Sequence, residues 1–187
     1  MRRYNFDQED GDDRGVELGG IVLTISENER FLEAIVLGTS WGGDTKDDYI
    51  THKWGGAAGT LQWARRYDNG GNDVARGLVV PNAWVYVTGY SEAGSDIDFA
   101  TLSYDAGTGS DRWDHRWNYV GDPDYPADIE VSLPAGGGAR VWVTGAAHDG
   151  SFVDIATLRY FDSGSGVTLE WSDTWSSGTT AGSTRAG

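Results

Sequence analysis

Residues 85–91 carry the sequence Val-Tyr-Val-Thr-Gly-Tyr-Ser, and this stretch decides the fold because its pattern occurs three times. Residues 34–40 read Ala-Ile-Val-Leu-Gly-Thr-Ser, and residues 141–147 read Val-Trp-Val-Thr-Gly-Ala-Ala. Each copy has the period-two alternation of a β-strand and ends near a glycine. The chain is therefore predicted to be a tandem array of β units.

The same series of landmarks follows each copy of this stretch. An element of the form Asp-x-(Ala/Ile)-Thr-x-x-aromatic comes first, at residues 48–54, 98–104 and 154–160. A glycine-rich turn and a Trp-x-x-x-aromatic element come next, at residues 63–67, 113–117 and 171–175. An Asp-x-x-x-x-(Leu/Ile)-x-Val element precedes the second and third copies, at residues 73–80 and 124–131. The landmarks recur about 50–58 residues apart, which leaves room for four short strands in each repeat.

Four strands are expected in the second repeat, near residues 74–80, 84–90, 97–104 and 112–118. Four-stranded units in tandem, with periodic glycine and aromatic positions, are typical of β-propeller blades. The coils of a β-solenoid are usually shorter, and a sandwich would not explain the repetition. The predicted fold class is all-β and propeller-like, with three consecutive four-stranded antiparallel blades.

The repeats divide the chain into five predicted parts. These are the remnant of a preceding blade with an acidic loop at 1–13, three blades at 14–67, 68–118 and 119–176, and a flexible tail rich in Gly, Ser and Thr at 177–187.

The two ends of the array indicate an unfinished ring. Arg2-Arg3-Tyr4 matches Arg65-Arg66-Tyr67, so we expect the chain to begin in the last strand of a preceding blade whose other strands are absent. The first strand of the first blade fits either Arg14–Leu18 or Ile21–Ile25. Closed propellers typically have about four to eight blades. We therefore expect an incomplete ring, a segment of a larger propeller, or a unit that completes a ring by self-association.

The second repeat resembles the bacterial SBBP-type repeat of seven-bladed β-propellers, through Val85–Gly89, Asp98–Asp105, Thr108-Gly109 and Trp113. The third repeat is similar, with Ser165-Gly166 in place of Thr-Gly, and the first repeat departs more. Blades of quinoprotein type carry related motifs. The resemblance implies a bacterial scaffold or adhesion protein, secreted or at the cell surface, without assigned catalysis.

The composition limits the classes of partner. The formal net charge is −15, and Asp outnumbers Glu by 21 to 8. Such a surface repels phosphates, so nucleic acids and anionic lipids are not expected as partners. Cysteine is absent, which excludes disulfides and thiolate metal sites. Acidic residues rather than an apolar stretch follow Met1-Arg2-Arg3, and no transmembrane run occurs, so neither a signal peptide nor membrane insertion is predicted.

Motifs that could indicate catalysis have simpler explanations in the repeat. Residues 38–42 match the GxSxG pattern, but that motif needs a turn between a strand and a helix. The histidines His52, His115 and His148 lack metal-ligand spacing. The glycine-rich stretch 55–60 lacks the Lys and the helix of a phosphate-binding loop. We predict no catalytic residues and no resident cofactor; a quinoprotein-like enzyme and a carbohydrate-binding lectin are the alternatives.

Sequence order predicts one acidic face. Because antiparallel strands alternate in direction, the loops after the second and fourth strands of each repeat project to the same side. The carboxylates and aromatic residues of these loops are the predicted binding surface: Asp44, Asp47, Asp68, Asp73, Asp96, Asp122, Asp124, Trp41 and Tyr125. The alternative is that these Asp residues only cap turns and keep the sheet edges soluble.

A weak calcium site is the one metal site considered. Residues 7–13 are rich in Asp and Glu, and Asp10, Asp12 and Asp13 are the candidate ligands, although the spacing of an EF-hand is absent. The matching glycines Gly89 and Gly145 separately indicate a close approach or a special backbone conformation. The predicted function is a non-enzymatic propeller scaffold that binds a protein or a glycan.

Overall fold

The computed structural model describes residues 14–26, 29–42, 46–56 and 58–176, with side chains at Arg14 and from Glu33 onward. Within these residues the chain forms twelve strands and no helix. The strands lie in three sheets, and neighbours in each sheet pair antiparallel in the order of the chain. The prediction of an all-β fold with repeated antiparallel sheets is confirmed. In the described part of the chain, no helix has the length and apolarity needed to span a membrane.

The first sheet contains β1 (Arg14–Ser26), β2 (Glu29–Trp41), β3 (Asp47–Gly55) and β4 (Thr60–Tyr67). The second contains β5 (Asp73–Val79), β6 (Trp84–Ala93), β7 (Asp96–Asp105) and β8 (Asp111–Trp117). The third contains β9 (Tyr125–Ser132), β10 (Ala139–His148), β11 (Val153–Asp162) and β12 (Val167–Trp175).

Strand β1 resolves the choice between two positions for the first strand. It is one strand of 13 residues that includes both candidate segments. Its pairing with β2 is irregular between Gly15 and Glu17 and again between Gly19 and Ile21. Each irregularity adds a residue to one side of the ladder and shifts the period-two pattern, which is why the sequence left two positions open for this strand.

The three sheets stack face to face around two apolar cores. Strand β5 contacts β1, β2 and β3, and strand β9 contacts β5, β6 and β7. Val85 and Val87 belong to the core against the first sheet, whereas Tyr86 belongs to the core against the third. All three are fully buried, because alternate residues of a strand point to opposite faces and both faces of the middle sheet are covered.

The repeated glycine of each second strand makes room for a ring from the preceding sheet. A Cβ at Gly89 would lie 2.5 Å from the hydroxyl of Tyr49 and would collide with the carbonyl oxygen of Val74. A Cβ at Gly145 would lie 2.7 Å from the ring of Phe99. Neither glycine has a positive φ. Close packing, rather than a special backbone conformation, therefore requires glycine at these positions.

The outer face of the third sheet corresponds to the face of the middle sheet that carries Phe99 and packs against the third sheet. Strand β11 places Ala156 and Leu158 in the core and leaves Val153 and Ile155 exposed, at 62% and 55%. Trp175, which pairs with Ile155, is 58% exposed. The equivalent residues of the middle sheet lie against the third sheet. The outer face is therefore a partly apolar surface.

Candidate functional site

Loops from neighbouring sheets meet along one edge of the stack. Glu92, near the end of β6, accepts a hydrogen bond from the side-chain amide of Asn72 (2.7 Å) and pairs with Lys46 (3.3 Å). Asn118, after β8, donates to Asp96. These contacts join the loops that follow the second and fourth strands of the sheets. We call this surface the acidic edge, formed by Asp47, Asp68, Glu92, Asp96, Asp122 and Asp149.

Four of the predicted binding carboxylates belong to the acidic edge. Asp68 is exposed, and its Oδ1 accepts a hydrogen bond from the backbone of Gly70 (2.7 Å). Asp47 is half-buried and pairs with Arg14 (2.8 Å). Asp96 and Asp122 are half-buried. The candidate calcium ligands Asp10, Asp12 and Asp13 and the candidate binding residue Asp44 lie outside the described residues.

Two of the predicted binding carboxylates are buried beneath the edge. Asp124 is inaccessible and accepts hydrogen bonds from the backbone N–H groups of Tyr119 (2.7 Å) and His148 (3.1 Å). Asp73 is equally buried and accepts one from the backbone of Asn69 (2.6 Å). A carboxylate in this position fixes the backbone of a loop and is not accessible to a macromolecule. The contribution of Asp73 and Asp124 to a binding surface is therefore indirect.

The electrostatic state of the edge follows from these contacts. Burial raises the pKa of Asp73 to about 6, and the Ser91 hydroxyl and the backbone N–H of Asn69 only partly oppose it. Burial also raises the pKa of Asp124, against the two backbone hydrogen bonds. Hydrogen bonds from Asn72 lower the pKa of Glu92, and backbone hydrogen bonds lower that of Asp149. Glu92 and Asp149 thus stay ionised at neutral pH, whereas Asp73 and Asp124 are costly to ionise.

Both predicted aromatic residues lie at the margin of the acidic edge. Trp41 ends β2 and is 40% exposed, and Tyr125 begins β9 and is 36% exposed. The ring of Tyr125 packs edge-on against Tyr90 (centroids 5.3 Å apart) and against His148 (5.9 Å). The surface at Tyr125 is thus a small aromatic cluster rather than a single free ring.

A serine, an aspartate and an arginine recur together just below the edge. Arg116 donates to Ser91 Oγ (3.2 Å) and to Asp98 (2.5 Å). Arg66 in the first sheet makes the same pair of contacts, with Ser40 (3.3 Å) and with Asp48. The sets tie the second, third and fourth strands together. Sequence reasoning missed them, although a Trp-x-x-Arg-aromatic pattern at 63–67 and 113–117 marks the arginine.

The residues of the GxSxG match belong to one of these sets. Ser40 is buried within β2 and is bonded to Arg66, not displayed on a turn between a strand and a helix. The third sheet has Ala147 and Thr174 at the positions of the serine and arginine. The histidines are likewise dispersed: His115, for example, lies 3.3 Å from the hydroxyl of Tyr160, where burial lowers the pKa of the imidazole.

A second polar network lies at the opposite end of the stack, between the second and third sheets. Buried Asp162 accepts hydrogen bonds from the Tyr86 hydroxyl (2.9 Å), the Trp113 indole (2.9 Å) and two nitrogens of Arg112 (2.5 and 3.0 Å). The Arg112 guanidinium also lies over the Trp84 ring, 4.1 Å from its centre. Burial alone would raise the pKa of Asp162, but these hydrogen bonds outweigh burial and hold it below its usual value. This network links the sheets.

The chain matches no protein-family model, and a search of curated proteins finds no match. The resemblance to the SBBP-type repeat therefore rests on the sequence motifs alone.

Proposed function

We propose that this chain is a propeller-type repeat scaffold, three blades of an incomplete ring, which binds a basic protein through its acidic edge. The blade interpretation is supported by three four-stranded sheets in chain order that stack face to face. The same glycine and ring contact recurs between successive sheets, as expected for equivalent units.

The observation that carries the binding proposal is the continuity of the acidic edge. The Lys46–Glu92 ion pair joins the first sheet to the second, and hydrogen bonds from Asn72 and Asn118 tie the loops between sheets to Glu92 and Asp96. Lys46 and Arg14 each already pair with one carboxylate of the edge. Like charges held together repel one another, and a basic partner would relieve that repulsion while being attracted over a distance.

A basic protein suits this surface better than a glycan. Sugar recognition usually relies on a free aromatic face with fixed polar groups around it. Tyr125 instead packs against Tyr90 and His148, and the surroundings are dominated by charge. Electrostatic complementarity also agrees with the formal net charge of −15.

A lysine-rich peptide tests the proposal in EDTA-containing buffer at low and at moderate salt. We compare the edge variant D47N/D68N/D96N/D122N with a control of equal charge, D111N/D114N/D128N/E130Q, whose residues are exposed elsewhere. The edge variant should lose about tenfold or more in affinity and most of its salt dependence, and the control much less. Equal losses would show that only net charge matters. Binding of a neutral glycan that neither variant affects would contradict the proposal in favour of a lectin.

The exposed face of the third sheet supports self-association as part of the same scaffold. Ile155 and Trp175 occupy the positions of Phe99 and Trp117, which the third sheet covers in the middle sheet. Phe99 lies over Gly145 there, and Gly38 is the matching glycine of the first sheet. The occupant of the exposed face is therefore proposed to be the first sheet of a second copy, so that two chains together supply six blades.

A further inference from the structure

We propose that the junction of the first and second sheets binds a hard divalent cation, such as Ca²⁺, through Asp48, Asp68 and Asp73. One carboxylate oxygen of each residue lies within 4.8 Å of the others. Calcium binds oxygen ligands at about 2.3–2.6 Å, so two ligands on opposite sides of one ion are at most about 5 Å apart. The three oxygens can therefore contact a single ion.

The charge of this cluster is unbalanced. Asp48 and Asp73 are fully buried, and Asp68 closes the cluster on the solvent side. Among the residues that the structure describes, Arg66 is the cation that pairs with the cluster, through Asp48. Three carboxylates and one guanidinium carry a net charge of about −2, which a divalent cation would neutralise. Buried charges need such compensation because their desolvation is costly.

An independent observation at Asp73 points to a ligand. Its Oδ2 accepts the hydrogen bond from Asn69, whereas its Oδ1 is buried and receives no hydrogen bond of good geometry, although the Ser91 hydroxyl is close enough to lower the pKa of Asp73. Buried polar atoms in folded proteins are nearly always satisfied, and an orphan acceptor usually marks an ion or a water. A cation held among the three carboxylates would satisfy this oxygen.

The next junction provides a natural contrast. Asp124 occupies the place of Asp73, and both of its oxygens accept backbone hydrogen bonds, from Tyr119 and His148. Asn118 stands where the first junction has Asp68. The second junction thus has one carboxylate fewer, and Asp124, unlike Asp73, has no orphan oxygen; the equivalent residues Asp48 and Asp98 each have an unbonded Oδ1. A cation is needed at the first junction and not at the second.

Terbium luminescence and thermal unfolding test the proposal on the full chain at neutral pH. Tb³⁺ is a calcium substitute that nearby aromatic rings such as Tyr67 can sensitise, and Ca²⁺ should displace it from the wild-type chain. About 5 mM CaCl₂ should also raise the Tm by about 2–4 °C relative to NaCl of equal ionic strength, if the Kd is on the order of 10⁻³ M.

Two single variants locate the site. D68N changes an exposed residue, so the protein should fold, and it should abolish both the Tm gain and the displaceable Tb³⁺ signal. D122N removes a carboxylate of the same edge outside the cluster and should retain both. Absence of a calcium effect in the wild-type chain, or equal effects in D68N and D122N, would overturn the proposal. These outcomes are separate from peptide binding, which is measured in EDTA.

Discussion

The two junctions between sheets share a contact between a glycine and an aromatic ring, but they differ in the polar groups at the two ends of the stack. At each junction, an aromatic ring from the preceding sheet packs against a glycine of the second strand: Tyr49 against Gly89 and Phe99 against Gly145. In each, a tryptophan of the fourth strand donates to the sheet that follows. Trp63 donates to the backbone carbonyl of Ala106 (3.2 Å), whereas Trp113 donates to the carboxylate of Asp162 (2.9 Å).

The residues around these tryptophans differ as sets. The first junction has Ile35, Gln62 and Ala106, and the second has Tyr86, Arg112 and Asp162 at the same positions. The residues of each set match one another. The set at the first junction is largely apolar, whereas at the second junction the buried Asp162 carboxylate accepts several hydrogen bonds. At the acidic edge the contrast is the opposite: the unbalanced carboxylates lie at the first junction and not at the second. The shared contact therefore defines the stack, and local chemistry adjusts each junction separately.

Removing Asp162 should have the largest effect on this comparison. D162A would leave the largely covered Arg112 guanidinium without its carboxylate and would take the acceptor from Tyr86 and Trp113, so we expect a loss of about 3–5 kcal/mol in the free energy of unfolding. At the equivalent position, A106G keeps the carbonyl acceptor and should cost about 1 kcal/mol or less. Urea unfolding measures both. Similar losses would contradict the assignment of an ionic and an apolar junction.

The shared glycines should give the next largest effect, and it should be similar at both junctions. G89A and G145A force a methyl group against a ring and a backbone carbonyl, which should cost about 1–3 kcal/mol each. G136A meets no atom within 4 Å and serves as the control, with an expected change within about 0.5 kcal/mol. If either core glycine tolerated alanine like Gly136, the ring contact would not be a common requirement.

The smallest expected effect is a pH dependence specific to Asp73. Its folded pKa of about 6 lies above the value of about 3.9 expected when unfolded, so the folded state binds the proton more tightly. The group therefore lowers stability progressively as the pH rises from about 4 through 6. D73N lacks this titration, so in EDTA its stability relative to wild type should increase by about 1–2 kcal/mol between pH 4.5 and 7.5. If the difference in unfolding free energy between D73N and wild type did not change with pH, the conclusion that the first junction carries unbalanced carboxylates would be contradicted.

The repeated features of the fold could be predicted from the sequence. Strands expected near 74–80, 84–90, 97–104 and 112–118 are found at 73–79, 84–93, 96–105 and 111–117. The alternation and the turn glycines mark strands locally, without knowledge of tertiary contacts. The repeated glycines indicated close approach for the same reason, although the rings that they contact lie 40 and 46 residues away in the chain.

The unrepeated features could not be predicted. An Asp beside a turn looks the same in sequence whether it is exposed, as Asp68 is, or buried against backbone N–H groups, as Asp124 is. Asp162 has no aspartate at the equivalent position of the second repeat, so self-comparison gave it no weight. Its role depends on Tyr86 and Arg112, which only the stacking of sheets brings near it.

Light scattering coupled to size-exclusion chromatography tests most directly the central claim that each sheet of this type needs a following sheet on its outer face. The account predicts a monodisperse particle of twice the chain mass of 20.2 kDa. I155K should convert it to a monomer, because Ile155 lies on the exposed face, whereas L133K, at an exposed residue just after β9, should not. A wild-type chain that stays a folded monomer at high concentration, or forms a polydisperse mixture, would contradict the account.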